Sequence, residues 1–393
     1  MKSLPQTLLA LVLAAAIWLP SMRFFFAPSR ENVAPGHGIS AHARQLANRQ
    51  LRVWTDPASL NREIERMRAS NAEWDFMGRS FLVWALAEMC LHNPALQARH
   101  LPVIDRIIEE TLRLEAEHSF RFFLLPYANY KPFLATPAGS HFVDGEIALM
   151  LAARQSIERN SEWEPQLKAR LAHLAERIEA APILCPESYP DECWTFDQSI
   201  GLAALVLGDR LYGTNHRRLF ERWLAMAKEQ LIHRETGLLV SRFTYDGTII
   251  EGPEGSSIWM IAHCLRLVDE EFARDQYDRA RKEFGRVWLG FGFAREWPDS
   301  WQTPPDIDSG VIMPVLDASP AASGLAFIGA ASFGDTGYLE ALHTSLKFGG
   351  FPISSGDELR YAASNQVGDA AMLYACVLGP LWKTTTKEQR HEQ

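Results

Sequence analysis

Acidic, amide and imidazole side chains recur in this chain where apolar helical stretches begin: Trp74 with Asp75; His141, Asp144 and Glu146; Asp197 and Gln198; Glu251, Glu254 and Ser256; Asn365, Gln366 and Asp369. Glu296, Asp306 and Asp308 add a further group from the loop ahead of one more such stretch. Paired carboxyl groups do general acid/base work when one is protonated and the other ionised. Asp, Asn and Ser at helix starts also cap free backbone N–H groups and suit the helix dipole, which accounts for part of the set. Capping does not account for Glu146 and Asp369, which lie within apolar runs where an unpaired carboxylate is costly. Aromatic walls around such a group raise its pKa towards neutrality, where it can exchange protons. The expected catalytic residues are Asp197, Glu146 and Asp144, joined by Cys185 and Cys193 of the loop before Asp197. His141, Trp194, Tyr245, Glu251, Glu254, Trp259, Glu296, Asp308 and Asp369 are expected to line the substrate site.

The most distinctive loop is Cys185-Pro-Glu-Ser-Tyr-Pro-Asp-Glu-Cys193-Trp-Thr-Phe-Asp197-Gln. Cys185 and Cys193 have two readings that the sequence leaves open. They form a disulfide if the domain is exported, or they are thiols, with Cys193 an acid/base group partnered by Glu192 or His141. Cys90, Cys264 and Cys376 fall in apolar helical stretches and read as buried spectators. With no CxxC or Cys/His ligand spacing, no metal site is expected.

The elements that must position these groups come in contrasting pairs. Stretches apolar nearly all round (Phe76 to Leu91, Val143 to Ala153, Ser199 to Leu211, Ser257 to Leu267, Ala321 to Phe333, Gly368 to Leu378) alternate with amphipathic ones (Val103 to Glu117, Glu164 to Glu179, Arg217 to Leu231, Glu270 to Val287, Asp335 to Phe348). A helix apolar on all faces must be covered on all sides, whereas an amphipathic one covers a core and faces water. The pattern predicts two concentric rings, an all-α (α/α)6 toroid, with the segment from Ala58 to Met67 closing the outer ring. An open solenoid would show stronger repeat similarity and polar capping ends. Short β-hairpin inserts are expected, one of them Leu238 to Phe243 turning at Asp246-Gly247. In a toroid the polar residues at the starts of the inner helices converge on one mouth.

Lys2, the apolar run from Leu8 to Leu19 and the following Met22-Arg23-Phe24-Phe25-Phe26 form a segment that engages the export machinery or the bilayer. No Ala-x-Ala site follows the run, which favours an uncleaved anchor. The arginines after it argue for a cytoplasmic domain and the signal-like layout for export; the reading adopted is a membrane-anchored or exported domain on the periplasmic side. The expected boundaries are 1–30 for the signal or anchor, 31–56 for a connecting segment, 57–385 for the barrel and 386–393 for a polar tail. A hydrophobic content of 47% supports a large core. A net charge of −9, with bases interleaved among acids, excludes nucleic acid as a partner. The expected partners are a small, apolar substrate and the membrane, in an arrangement compatible with a homo-oligomer.

Ile183-Leu184-Cys185 before an acidic, Tyr-containing loop, Asp209-Arg210-Leu211-Tyr212-Gly213-Thr214, and Arg295-Glu296 running to Asp306-x-Asp308-Ser-Gly310 together resemble the linalool dehydratase/isomerase family. The resemblance spans roughly residues 72 to 380 and implies an (α/α)6 barrel. It also implies a lyase/isomerase without metal or organic cofactor that dehydrates or isomerises an alkenol of isoprenoid type. The first family cysteine falls on Cys185 and the second on Asp197, with Cys193 four residues too early. The family histidine falls near Glu146, with Asp144 and His141 one turn earlier, and the N-terminal family aspartate has no counterpart. These departures change the implied chemistry from thiol and imidazole to carboxylates. The alternative is a carbohydrate-active (α/α)6 enzyme, a glycoside hydrolase, polysaccharide lyase or epimerase, that uses paired carboxylates and Trp platforms such as those between Trp297 and Trp301.

Overall fold

The computed structural model describes residues 4–33, 38–160, 162–301 and 310–383. The chain opens with α1 (Leu4–Phe26), the short α2 (Arg30–Val33), α3 (Ala41–Thr55) and α4 (Pro57–Ser70). Helices then alternate between inner and outer positions: α5 (Ala72–His92), α6 (Gln97–His118), α7 (His141–Ile157), α8 (Glu164–Ala180), α9 (Thr195–Tyr212) and α10 (Arg217–Gln230). The second half continues with α11 (Gly255–Leu265), α12 (Glu270–Glu283), α13 (Pro320–Phe333), α14 (Thr336–Gly349) and α15 (Gln366–Val377).

The odd-numbered helices from α5 onward are the ones apolar all round, and each packs on the next: α5 on α7, α7 on α9, α9 on α11, α11 on α13, α13 on α15, and α15 back on α5. That closure makes an (α/α)6 barrel. The outer helices bury one stripe each. On α10 it is Leu219, Trp223, Leu224, Met226 and Ala227, a helical spacing that leaves the arginines in water. As expected from Ala58 to Met67, α4 lies against α5 and α15. It shares that seam with α3, which falls in the stretch expected only to connect. Leu46, Ala47, Gln50, Leu51 and Trp54 recur at one helix face and are buried in the core.

Most inner helices are capped by neutral side chains. Asn71 accepts from the Trp74 N–H, Ser140 from Val143, Ser319 from Ala322 and Asn365 from Gly368. The N-cap residues of α9 and α11, Trp194 and Glu254, make no side-chain cap, and both helix starts adjoin a small antiparallel sheet of β1 (Cys193–Trp194), β2 (Arg242–Phe243) and β3 (Ile249–Glu251). Trp194 pairs with Arg242, and Arg242 with Glu251. The sheet continues into the helices, since the Thr195 N–H donates to the Ser241 carbonyl at 3.0 Å and the Ser241 hydroxyl accepts from the Glu254 N–H at 3.1 Å. Two further hairpins, β4 (Gly285–Trp288) with β5 (Phe291–Ala294) and β6 (Pro352–Ser355) with β7 (Glu358–Tyr361), pack on α14 and α3 respectively.

Candidate active site

Successive residues of a helix turn by about 100°, so side chains two apart point to nearly opposite sides. On α7 this separates Asp144 from Glu146. The Asp144 carboxylate faces outward to α8, paired with Arg170 at 2.6 Å and Arg177 at 3.2 Å. Glu146 faces the barrel axis, 1% exposed, with the Ser80 hydroxyl beside it. Burial, and then the like charge of Asp197, push the Glu146 carboxyl well above its usual range. The same rule divides α5: Asp75 turns to Arg68 (3.2 Å) and Arg79 (3.1 Å), while Glu73 accepts a hydrogen bond from the Tyr189 hydroxyl.

Asp197, in the first turn of α9, is buried, with 7% of its surface exposed. Burial raises its carboxyl pKa to about 8, with the Ser188 hydroxyl beside it opposing and the charge of Glu73 adding to the rise. Glu73 belongs to a polar chain that crosses the mouth. Tyr189 accepts from the Leu125 N–H at 2.8 Å and stacks on Tyr127 with ring centroids 4.7 Å apart. The Tyr127 hydroxyl donates to Glu192 at 3.2 Å, and Arg242 pairs with both Glu192 (3.4 Å) and Glu251 while lying 5.2 Å over the Trp194 ring. Glu254, at the N-cap of α11, closes the arc. Its carboxyl is raised well above the usual range by burial and by the charges of Glu251 and Glu296. Glu296 accepts from the Ser256 hydroxyl and N–H and, at 2.5 Å, from the Ser319 hydroxyl.

Of the residues singled out from sequence, Asp197, Glu146, Trp194, Glu251, Glu254 and Glu296 are brought together at or just below this mouth. Asp144 is drawn to α8 by its arginines. His141 is fully buried as a wedge between α7 and α9, its imidazole pKa lowered by burial to about 3. Cys185 and Cys193 are free thiols, not a disulfide. Cys185 lies against Trp223 of the outer helix α10, Cys193 donates to the Cys185 carbonyl at 3.2 Å, and burial raises both thiol pKa values. Trp259 packs with Tyr277, Phe284 and Tyr338 in the layer between the rings. Tyr245 is held at the β2–β3 turn, its N–H donating to Asp191 at 3.2 Å. Asp369 (pKa about 7) lies towards Arg49 and Arg360, on the α3 side of α15. Asp306 and Asp308 fall outside the described residues.

Sequence reasoning did not assign Glu73, Tyr189, Tyr127, Ser188 and Arg242 to the site. Glu73 was legible from its position two residues before Asp75; the tyrosines depend on the fold of the 185–194 loop. That loop is shaped by Glu187, a fully buried acid whose carboxylate accepts backbone N–H groups from Leu134, Ala135 and Asp191 at 2.7–3.0 Å.

No family model and no curated protein matches the chain. Among solved structures it is similar to the unsaturated glucuronyl hydrolase of Bacillus sp. GL1, with 13% identity over 76% of this chain and 84% of that one and a TM-score of 0.51. It is also similar to the unsaturated glucuronyl hydrolase of Streptococcus agalactiae, with 11% identity over 92% and 95% of the two chains and a TM-score of 0.52. At these identities the likeness is one of fold, and it matches the closed double ring described above.

Proposed function

We propose that this protein is a carbohydrate-active enzyme that cleaves a glycosidic bond by acid/base catalysis, with Asp197 as the proton donor and Glu73 as the ionised partner. The observation that carries the reading is the contrast between these two carboxyls. Burial keeps Asp197 protonated up to a pH of about 8, whereas Glu73 receives the hydrogen bond of Tyr189, which favours its charged form. A protonated acid beside a carboxylate is what departure of a sugar oxygen requires. The lining favours a hydroxylated substrate over an alkenol. Glu192, Arg242, Glu251 and Glu254 offer polar atoms in an arc, with the half-buried Trp194 among them as an aromatic surface. The alkenol lyase/isomerase implied by the family resemblance would exchange protons between Asp197 and Glu146, and burial raises both of these carboxyls, which leaves that pair without an ionised member. The likeness in fold to a hydrolase responsible for the degradation of glycosaminoglycan makes uronic-acid oligosaccharides the first substrates to try.

The test is incubation of the purified protein with a panel of neutral and uronic-acid oligosaccharides, with new chain ends read by mass spectrometry. Cleavage of at least one member, lost in Asp197→Asn, is the expected outcome. An untouched panel together with dehydration or isomerisation of a terpene alcohol would overturn it in favour of the alkenol.

A further inference from the structure

The C-terminal end of α1 is built onto the barrel. The Phe26 ring lies 5.1 Å from Phe348 and 6.5 Å from Phe291, which are themselves 5.4 Å apart. Lys347 donates to the Ala27 carbonyl at 2.9 Å. At the β4–β5 turn Gly290 has φ +87°, and a Cβ there would fall 2.4 Å from the Arg23 side chain, so the turn sits directly against α1. Most of α1 is uncovered: an 18-residue window within its 23 residues has a mean hydropathy of 1.9 and is not buried, long and apolar enough to cross a membrane.

A helix of that length spans about 34 Å, close to the ~30 Å hydrocarbon core, which puts Arg23 to Phe26 at the headgroup level. Whatever touches Arg23 and Phe26 then lies at the same depth. The side chains around this contact are apolar yet exposed: Phe24 at 70%, Phe25 at 73%, Trp288 at 57%, Phe348 at 47% and Phe351 at 64%. Water is a poor solvent for such a patch, whereas aromatic side chains favour the membrane interface. Arg23, against the β4–β5 turn, and Lys347, bonded to Ala27, stand beside it, with stems and charges suited to anionic headgroups.

We infer that α1 is retained as a membrane span and that this rim of the barrel, the β4–β5 turn with the end of α14 and Phe351, docks onto the bilayer surface where α1 emerges. The occupant of the patch is the lipid interface. Removal of α1 would strip Phe291 and Phe348 of their cover.

The test uses the full chain in nanodiscs of mixed phosphatidylcholine and phosphatidylglycerol, with an environment-sensitive dye on Trp288→Cys, Phe351→Cys or, as reference, Glu221→Cys on α10. The unsubstituted chain gives the background from the native thiols, and each variant is checked for the parent's melting temperature. Two separate patch sites guard against one of them failing to fold. Quenching by spin-labelled lipid should be several-fold stronger at 288 and 351 than at 221, and the intact mass should include α1. Equal quenching at the three sites overturns the docking. So does dye protection that persists without lipid quenching, the signature of a second copy on the patch, and so does a mass lacking α1.

Discussion

A carboxyl in the first turn of a helix is ordinarily held ionised by the free N–H groups and the dipole around it. Asp197 goes the other way because its surroundings outweigh the helix end: it is buried, it has a single hydroxyl beside it and it faces Glu73. If it donates a proton in the rate-determining step, activity in the free enzyme falls as pH rises through about 8, and Asp197→Asn lowers kcat/KM by about 10² to 10⁴ without loss of fold. A pH–rate profile and a thermal melt check the two parts. The other limb belongs to the ionised partner. Tyr189→Phe removes the hydroxyl that favours the Glu73 carboxylate, so the acid limb of the profile should move to higher pH, and an unmoved limb would take Glu73 out of the role of ionised partner. Glu146 stood out in the sequence because an acid inside an apolar run needs a reason, and Asp197 because it opens an inner helix where the family resemblance places a cysteine. Asp144, equally acidic and one turn from the same mouth, was not separable from them until the positions of Arg170 and Arg177 on α8 were known.

At the scale of the elements, the alternation of all-apolar and amphipathic helices carried the double ring, since each kind of helix has one way to satisfy its surface. The α3 helix was passed over because its apolar face is diluted by arginine and glutamine, and Arg49 and Gln50 turn out to be buried in the seam between α3 and α15. The fit between neighbouring inner helices depends on detail that periodicity does not reveal. Gly145 and Gly201 meet where α7 crosses α9, and a Cβ at Gly201 would lie 2.4 Å from Nε2 of the buried His141. Gly201→Ala should therefore destabilise the fold by about 1–3 kcal/mol or more, against the slight gain a glycine-to-alanine change gives in an open helix. Chemical denaturation reads this directly. Because α7 carries Glu146 and α9 carries Asp197, the same change should also lower activity in the fraction that remains folded.

Taken whole, the barrel buries titratable groups of both kinds, and their opposite shifts set how its stability depends on pH. His42 and His100 are lowered to about 4, His141 and His343 to about 3, and His263, held between Ser332 and Tyr374, well below its usual value, all chiefly by burial. These rings stay neutral in the folded chain but take protons when it unfolds at acid pH. Their contribution to stability therefore grows as pH rises from about 4 and is complete above about 6.5, the value for an unfolded histidine. The carboxyls run in the opposite sense. Glu88, which accepts the Gly379 N–H at 3.0 Å and the Leu381 N–H at 3.3 Å, and Asp197 are both raised to about 8 by burial, and Asp369 to about 7. Between the unfolded carboxyl pKa near 4 and these folded values the native state holds protons that the unfolded chain has released, so each carboxyl costs stability as pH climbs. Below about 6.5 the two sets offset each other; above it the lowered histidines have stopped changing and the carboxyls continue, with His216, raised by its bond to Asp209, acting in the same sense. The folded protein should thus lose stability from pH 6.5 to 8, by about 1–2 kcal/mol for each of Glu88 and Asp197, and then level off. Melting temperature in detergent across that window measures the fall, and Asp197→Asn and Glu88→Gln should each flatten it. A midpoint that holds steady or rises from pH 6.5 to 8 would mean that these acids are ionised in the folded barrel, and Asp197 would then have no proton to give at neutral pH.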